Sequence, residues 1–393
     1  MNPEGELIVR LGLKANRVHA VNIASSRVAL PERMTRGRSA DEVARTLPLL
    51  FSICAKAQSA AAAGALDAAR GCTPDAAIQQ KRADDVRREA IVELLTRLLI
   101  DWPRVMGAVP DVSSVARSRQ ALPAQALDTW RSIARERIYG VAPDDWIADA
   151  SLAALDRWAA AAETLPARLF SQLHRESSDL GRSDICTMPA ATLEALLPML
   201  PRLADDPTFC QSPDWLGSPV ETGALARYAE HVLVATYVQR HGNTVAARTL
   251  ARLIELAALL SVGNNPGVPS VRQHAVAPGT GIGLAETARG LLLHHAEVSE
   301  GRVNRYRIVA PTEWNFHPDG ALSRGLRERH VDGPETARRE TQILVQALDP
   351  CVACTRTWVS RRAASGPSTC RSRRPRANAP SGWKFHSVGA TIR

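Results

Sequence analysis

Apolar positions alternate with polar ones near the start of the chain, then recur every three or four residues. Glu6 to Leu13 and Arg17 to Ile23 read as two strands joined around Lys14-Ala15-Asn16, a hairpin. Ser39-Ala40-Asp41-Glu42 is a capping box, in which Ser39 bonds the Glu42 amide while the Glu42 side chain reaches back. The helix it opens should deliver the chain to Cys54. Thr73-Pro74-Asp75 reads as a second helix start, a cap residue followed by proline at the first helical position. From there Val86, Ala90, Ile91, Leu94, Leu95, Leu98, Leu99 and Trp102 keep helical spacing, and Pro103 should stop the run.

The stretch from Leu122 to Val262 is mostly helical by pattern, most clearly over Ala124–Arg137, Asp145–Ala162, Ala190–Leu203 and Thr222–Leu260. After Pro278 the periodicity changes. Gly290 to Ala310 alternates and is split by Ser299-Glu300-Gly301-Arg302, a strand, turn and strand. Glu335 to Leu348 reads as a last helix running into Asp349-Pro350-Cys351. The pattern predicts an α+β protein, predominantly α-helical. No internal repeat and no flexible linker breaks it, so residues 1–357 form one domain.

Composition changes this picture in one place. The formal net charge is +9, but Trp358 to Arg393 holds seven Arg, one Lys and no acid, which leaves +1 for the first 357 residues. The basic character belongs to a tail, so charge gives a nucleic-acid-binding body no support. Arg, Ser, Ala, Pro and Gly make up 24 of those 36 residues. Such a segment buries too little apolar surface to order itself, and residues 358–393 are expected to be a disordered tail. Its composition is that of an out-of-frame reading of GC-rich DNA, which points to a frameshift or a recent extension after Cys354.

The N-terminus is acidic and lacks an apolar signal core, and no stretch approaches eighteen uninterrupted apolar residues. Seven cysteines without regular spacing make no disulfide framework. A protein of the reducing cytoplasm without a membrane span is the expectation.

The candidate chemistry lies at the two ends. Cys351-x-x-Cys354 stands near the C-terminus, and Cys54-Ala55-Lys56-Ala57 near the start is half of a matching pair. Structural zinc wants four ligands, and Cys72, Cys186, Cys210 and Cys370 are scattered singles. A redox dithiol sits where a strand meets a helix, whereas this pair follows a helix and an Asp-Pro. Gly279-Thr280-Gly281-Ile282-Gly283 lacks the third glycine of a nucleotide fingerprint, and Val276-Ala277-Pro278 is a poor strand before it. A tight turn with close backbone approach is the ordinary reading. His294 and His295 lie in a strand, one facing in and one out, and satisfied structural histidines account for them.

Taken in order, these segments resemble the large subunit of nickel–iron hydrogenases. Glu4-Gly5-Glu6-Leu7 looks like the family's E-G-H-L, and Cys54-Ala55-Lys56-Ala57 falls where it has C-G-x-C. Glu286-Thr287-Ala288-Arg289-Gly290 is similar to E-A-P-R-G, and Pro311-Thr312-Glu313-Trp314-Asn315 to P-T-x-W-N. Asp349-Pro350-Cys351-Val352-Ala353-Cys354 matches D-P-C-x-x-C without change. The resemblance implies the large-subunit fold, with small β elements near both termini. It implies that Cys54 and Cys351 stand at terminal thiolate positions and Cys354 at a bridging one. It places Arg289 beside the cyanide and carbonyl ligands of iron, and Glu4 in a proton relay.

The departures carry equal weight. Ala57 stands where the second bridging thiolate belongs, and thiolate is the soft donor such a centre needs. Gln58, Ser59, Ala60 and Ala61 replace the histidine that follows the first pair, and Thr357 replaces the one that follows the last. The pattern is similar to the hydrogenase accessory proteins called HupK. That resemblance implies an accessory protein rather than an enzyme, a scaffold or carrier for the Fe(CN)2CO unit during large-subunit assembly. Its cargo would be iron without nickel, and its partners the maturation chaperones and the hydrogenase large subunit. Two alternatives stay open: a divergent hydrogenase that still oxidises hydrogen, and a metal-free mimic that only engages chaperones.

Overall fold

The computed structural model describes residues 5–26, 30–51, 53–176, 178–261 and 271–360. Strands β1 (Glu6–Lys14) and β2 (Arg17–Ser25) form the expected hairpin. Ala15 and Asn16 both take positive φ, 49° and 58°, as the twist of a two-residue hairpin turn requires. Leu7, Val9 and Leu11 alternate into the core. Short strands β3 (Cys186–Thr187) and β4 (Val220–Glu221) pair in parallel within the helical middle. Then β5 (Val271–Ala277), β6 (Thr280–Thr287), β7 (Gly290–Ser299) and β8 (Arg302–Val309) form an antiparallel meander. Strand β9 (Ala353–Ser360) returns to lie parallel to β1.

The four-stranded sheet is larger than the sequence pattern suggested. Gly279 takes φ 76° and makes the expected turn, but Gly281 and Gly283 lie inside β6. The helix Ala55–Ala69 rests directly on them. A Cβ at Gly283 would stand 2.0 Å from the carbonyl oxygen of Ala61, and one at Gly281 would stand 2.4 Å from the Ala69 nitrogen. Close backbone approach is therefore the role of these glycines, between a strand and a helix. Alanine repeats on the helix complete the fit, with Ala57, Ala61, Ala62 and Ala65 fully buried.

Helix starts depart from expectation in two places. Ser39 does accept from the Glu42 amide at 3.2 Å, but the Glu42 carboxylate pairs with Arg38. The second helix runs Ala76–Thr96 with Asp75 as its cap, two residues later than read. Pro103 does not stop the run. A π-helical turn over Arg97–Asp101 leads into Trp102–Val105. The carbonyl of Leu99, which an ordinary residue at 103 would bond, accepts instead from the Asp111 amide at 2.8 Å.

The core centres on the helix Val245–Leu260, every residue of which is buried. Leu250, Leu253, Ile254, Leu256, Leu259 and Leu260 are fully enclosed, each contributing about 2 kcal/mol. The same helix buries Arg248, Arg252 and Glu255, and a buried charge demands a partner. Arg248 makes a bidentate pair with Glu221, both bonds 2.7 Å. Arg227 bridges Glu255 at 2.7 Å and Glu286 at 2.9 Å.

β9 continues three residues beyond Thr357. The backbone of Trp358, Val359 and Ser360 pairs with Leu11, Gly12 and Leu13 of β1, so the ordered chain passes the boundary expected from composition. The free edge of a buried strand supplies ladder bonds that composition does not reveal. The rest of the expected tail, residues 361–393, lies outside the described residues, as does Glu4. No helix among the described residues is long and apolar enough to cross a membrane.

Candidate metal site

Cys54 precedes the helix Ala55–Ala69 in a left-handed conformation, φ 61°. The next amides, Lys56 and Ala57, donate to the two carboxylate oxygens of Glu89 at 2.8 and 3.1 Å. This capping of the helix start by a distant carboxylate fixes where the Cys54 side chain emerges. Ala57 is fully buried one turn on, with no sulfur to offer.

Cys351 arrives from the other end. The helix Pro334–Leu348 ends at Asp349, left-handed at φ 54°, and the chain turns to bring Cys351 against the short helix Pro311–Asn315. There Thr312 Oγ1 accepts from the Cys351 amide at 2.9 Å and lies 2.9 Å from its sulfur. With the amide filling one acceptor position, the hydroxyl proton is free to point at sulfur. Asn315, three residues on, donates to the Arg289 carbonyl at 3.2 Å and accepts from the Thr222 amide at 2.8 Å. One short helix thus holds both a candidate ligand and the arginine turn.

Arg289 sits in the β6–β7 turn. Thr287 Oγ1 accepts from the amides of Arg289 and Gly290 at 3.0 and 3.2 Å. Gly290 takes φ 135°, and Thr222 leaves no space there for a side chain. The guanidinium is fully buried. Its Nη1 donates to Cys54 Sγ at 3.1 Å, its Nη2 to Glu93 at 2.7 Å, and its Nε lies 3.4 Å from Asp349. Arg97 meets the same Asp349 oxygen at 2.8 Å from the π-helical turn.

Charge follows from this geometry. Burial pushes the Cys54 thiol up to about 12, with Arg289 pulling the other way and Glu89, Cys351 and Glu93 adding to the rise. Burial also opposes ionisation of Asp349, yet Arg289, Arg97 and Arg252 hold its carboxyl below the usual carboxylate range. Burial raises Glu89, against its two backbone bonds. For Arg289, burial is outweighed by Asp349, Cys54 and Glu93, which keep it charged well beyond an ordinary arginine.

Cys54 and Cys351 line one cavity of about 10 Å³, together with Phe51, Gln58, Thr287 and Pro311. Cys354 is not among its lining residues. It lies in β9 opposite Leu7, where burial pushes its thiol up to about 11 against Arg356, with Glu6 adding to the rise. Among the described residues no group of three or more His, Cys, Asp or Glu side chains is placed to hold a metal ion. The structure therefore brings two of the three expected thiols together, with Arg289 touching one of them. Two thiols suit a soft metal ion in kind, and the cavity admits one water-sized occupant. An iron fragment with three diatomic ligands exceeds that room unless the cavity opens.

Glu89, Glu93, Arg97 and Thr312 were not read from the sequence as site residues. Each acts through a partner more than 30 residues away, and Thr312 lies inside the P-T-x-W-N segment. His294 and His295 are both buried, against the expectation that one would face out, because both faces of β7 are covered.

A family model described as nickel-dependent hydrogenase matches residues 201–356. The hydrogenase expression/formation protein HoxV of Cupriavidus necator is 31% identical over 354 residues, covering 85% of this chain and 91% of its own. The hydrogenase expression/formation protein HupK of Azotobacter vinelandii is 33% identical, covering 89% and 97%. Among solved structures, the Ni-Fe-Se hydrogenase from D. vulgaris Hildenborough superposes with a TM-score of 0.56 at 16% identity, over 86% of this chain and 94% of that one. Identity at that level speaks for the fold alone. The chain belongs to the family of hydrogenase expression/formation proteins typified by HupK and HoxV, built on the hydrogenase large-subunit fold.

Proposed function

We propose that the chain is a non-catalytic accessory protein of nickel–iron hydrogenase formation, acting in the cytoplasm. It takes an iron-bearing fragment, Fe(CN)2CO, as transient cargo on its way to the hydrogenase large subunit. Cys54 and Cys351 would hold the iron, Cys354 would join as a third thiolate when the site opens, and the Arg289 cation would offset the negative charge of thiolates and cyanides. The observation that carries this reading is the meeting of Cys54 and Cys351 in one cavity; the resemblance to the large subunit puts Ala57, a buried residue, where a further thiolate would complete a two-metal centre. Fewer thiolates favour release over retention. Maturation chaperones and the large subunit itself are the partners this role requires.

The test is anaerobic purification from cells that make hydrogenase, followed by infrared spectroscopy and metal analysis. Cyanide and carbonyl bands with iron well above nickel are expected, and Cys54→Ser or Cys351→Ser should abolish them. Equimolar nickel and iron with hydrogen-dependent dye reduction would overturn the accessory reading in favour of a divergent hydrogenase. A protein free of metal and bands that still sustains hydrogenase formation would favour a mimic that only engages chaperones.

A further inference from the structure

Gln58 follows the buried Ala57 and lines the cavity shared by Cys54 and Cys351. Its Oε1 lies 2.9 Å from His294 Nε2, and His294 Nδ1 lies 2.8 Å from the Tyr306 hydroxyl. All three side chains are buried. Burial holds His294 neutral, its ring pushed down to about 3. A neutral imidazole donates through one nitrogen and accepts through the other. Oε1 only accepts, so the proton sits on Nε2, and Nδ1 accepts from the tyrosine hydroxyl. The three groups form a chain with one direction, and that direction decides which end of the Gln58 amide is left over. The end left over is the NH2 group, which makes no hydrogen bond with the described residues. Arg289 differs. Each of its three nitrogens faces a protein partner, and it does not line the cavity.

We propose that Gln58 is the ligand-facing donor of this site. Once the cavity opens to admit a metal on Cys54 and Cys351, its NH2 group donates to an acceptor atom of a small anion, such as a cyanide nitrogen, that the metal carries. His294 and Tyr306 are positioning residues that fix the orientation of the amide. The inference rests on the thiolate reading given above, and adds to it the residue that selects what the metal carries.

The experiment uses cobalt(II) and azide as probes on the full-length, metal-free protein under anaerobic conditions. Cobalt held by sulfur gives a near-ultraviolet charge-transfer band, and azide is a small anionic acceptor. Gln58→Met keeps the length and volume of the side chain and removes the donor. The band should appear equally in both proteins, and azide affinity should fall about tenfold in Gln58→Met, the usual effect of losing a hydrogen bond to a charged group. Tyr306→Phe, which keeps the donor but frees its support, should weaken azide about two- to threefold. Absence of the band in the wild type overturns the thiolate reading and the role of Gln58 with it. A normal band with equal azide affinity in Gln58→Met overturns the role of Gln58 alone. If Gln58→Met fails to fold, Tyr306→Phe decides the matter, and unchanged azide affinity there overturns the proposal.

Discussion

The guanidinium of Arg289 and the sulfur of Cys54 stand 3.1 Å apart, both buried, across 235 residues of sequence. The contact sets a cation against a thiol that burial would otherwise leave inert. It also makes Arg289 a structural charge as much as a site charge, because Glu93 and Asp349 depend on it.

Replacing Arg289 therefore tests stability before it tests chemistry. Arg289→Leu leaves Asp349 with Arg97 and Arg252 but strips Glu93 of its 2.7 Å partner. Removing one member of a buried ion pair costs about 3 to 5 kcal/mol. Urea denaturation followed by circular dichroism should show a midpoint shift of that size. Arg289→Lys should recover part of it, since lysine keeps the charge but not the three-way fork.

Thiol reactivity should sort by burial. At pH 8 a thiol pushed up to about 12 is ionised to about one part in ten thousand. Iodoacetamide should modify the exposed Cys72 and Cys186 first, leaving Cys54 and Cys354 unlabelled in the folded protein. Peptide mass spectrometry reads this directly, and early labelling of Cys54 would contradict the buried site.

Acid should weaken the fold through His294. Its ring is neutral when folded, pushed down to about 3 by burial, and ordinary when unfolded. The unfolded state then binds the extra proton between those values. The stabilisation is complete above about pH 6.5 and is lost as pH falls toward 3, at about 1.4 kcal/mol per unit. The difference in stability between wild type and His294→Gln, measured at pH 7.5 and 4.5, should shrink on acidification.

Two glycines should behave oppositely. Gly283→Ala drives a methyl to 2.0 Å from the Ala61 carbonyl oxygen, within backbone that cannot yield, and should abolish soluble expression. Gly301→Ala meets nothing within 4 Å and pays only for its φ of 74°, about 1 kcal/mol. Soluble yield of Gly283→Ala and the melting temperature of Gly301→Ala separate close approach from turn conformation.

Truncation should find its boundary at β9. Removing residues 361–393 should leave the melting temperature unchanged. Stopping after Cys354 removes the ladder from Thr355 to Ser360 along β1 and should lower it by several degrees.

The N-terminal hairpin, the last two strands of the meander and most of the helical stretches were readable because each follows from a local period, whereas Val271–Ala277 and Thr280–Thr287 were not read as strands. So was the order of the motifs at the site. The sequence did not reveal that Pro103 would be absorbed by a π-helical turn, since the compensating bond comes from Asp111. Nor did it show Glu89 and Glu93 as neighbours of Cys54, because a carboxylate on an amphipathic helix reads as solvated until the helix it caps is known. Close backbone approach at Gly281 and Gly283 was legible, but its partner was not, because the alanine surface that needs them lies more than 200 residues earlier. What escaped was pairing at a distance, which periodicity does not encode.

The parallel pairing of β9 with β1 has a consequence in time. A ribosome adding about 5 to 20 residues per second releases Cys54 about 15 to 60 seconds before Cys351. Through that interval the first sulfur has neither its partner sulfur nor, for most of it, Arg289. A site divided this way forms only after Cys351 has been made, so nothing that needs both sulfurs is held by a shorter nascent chain.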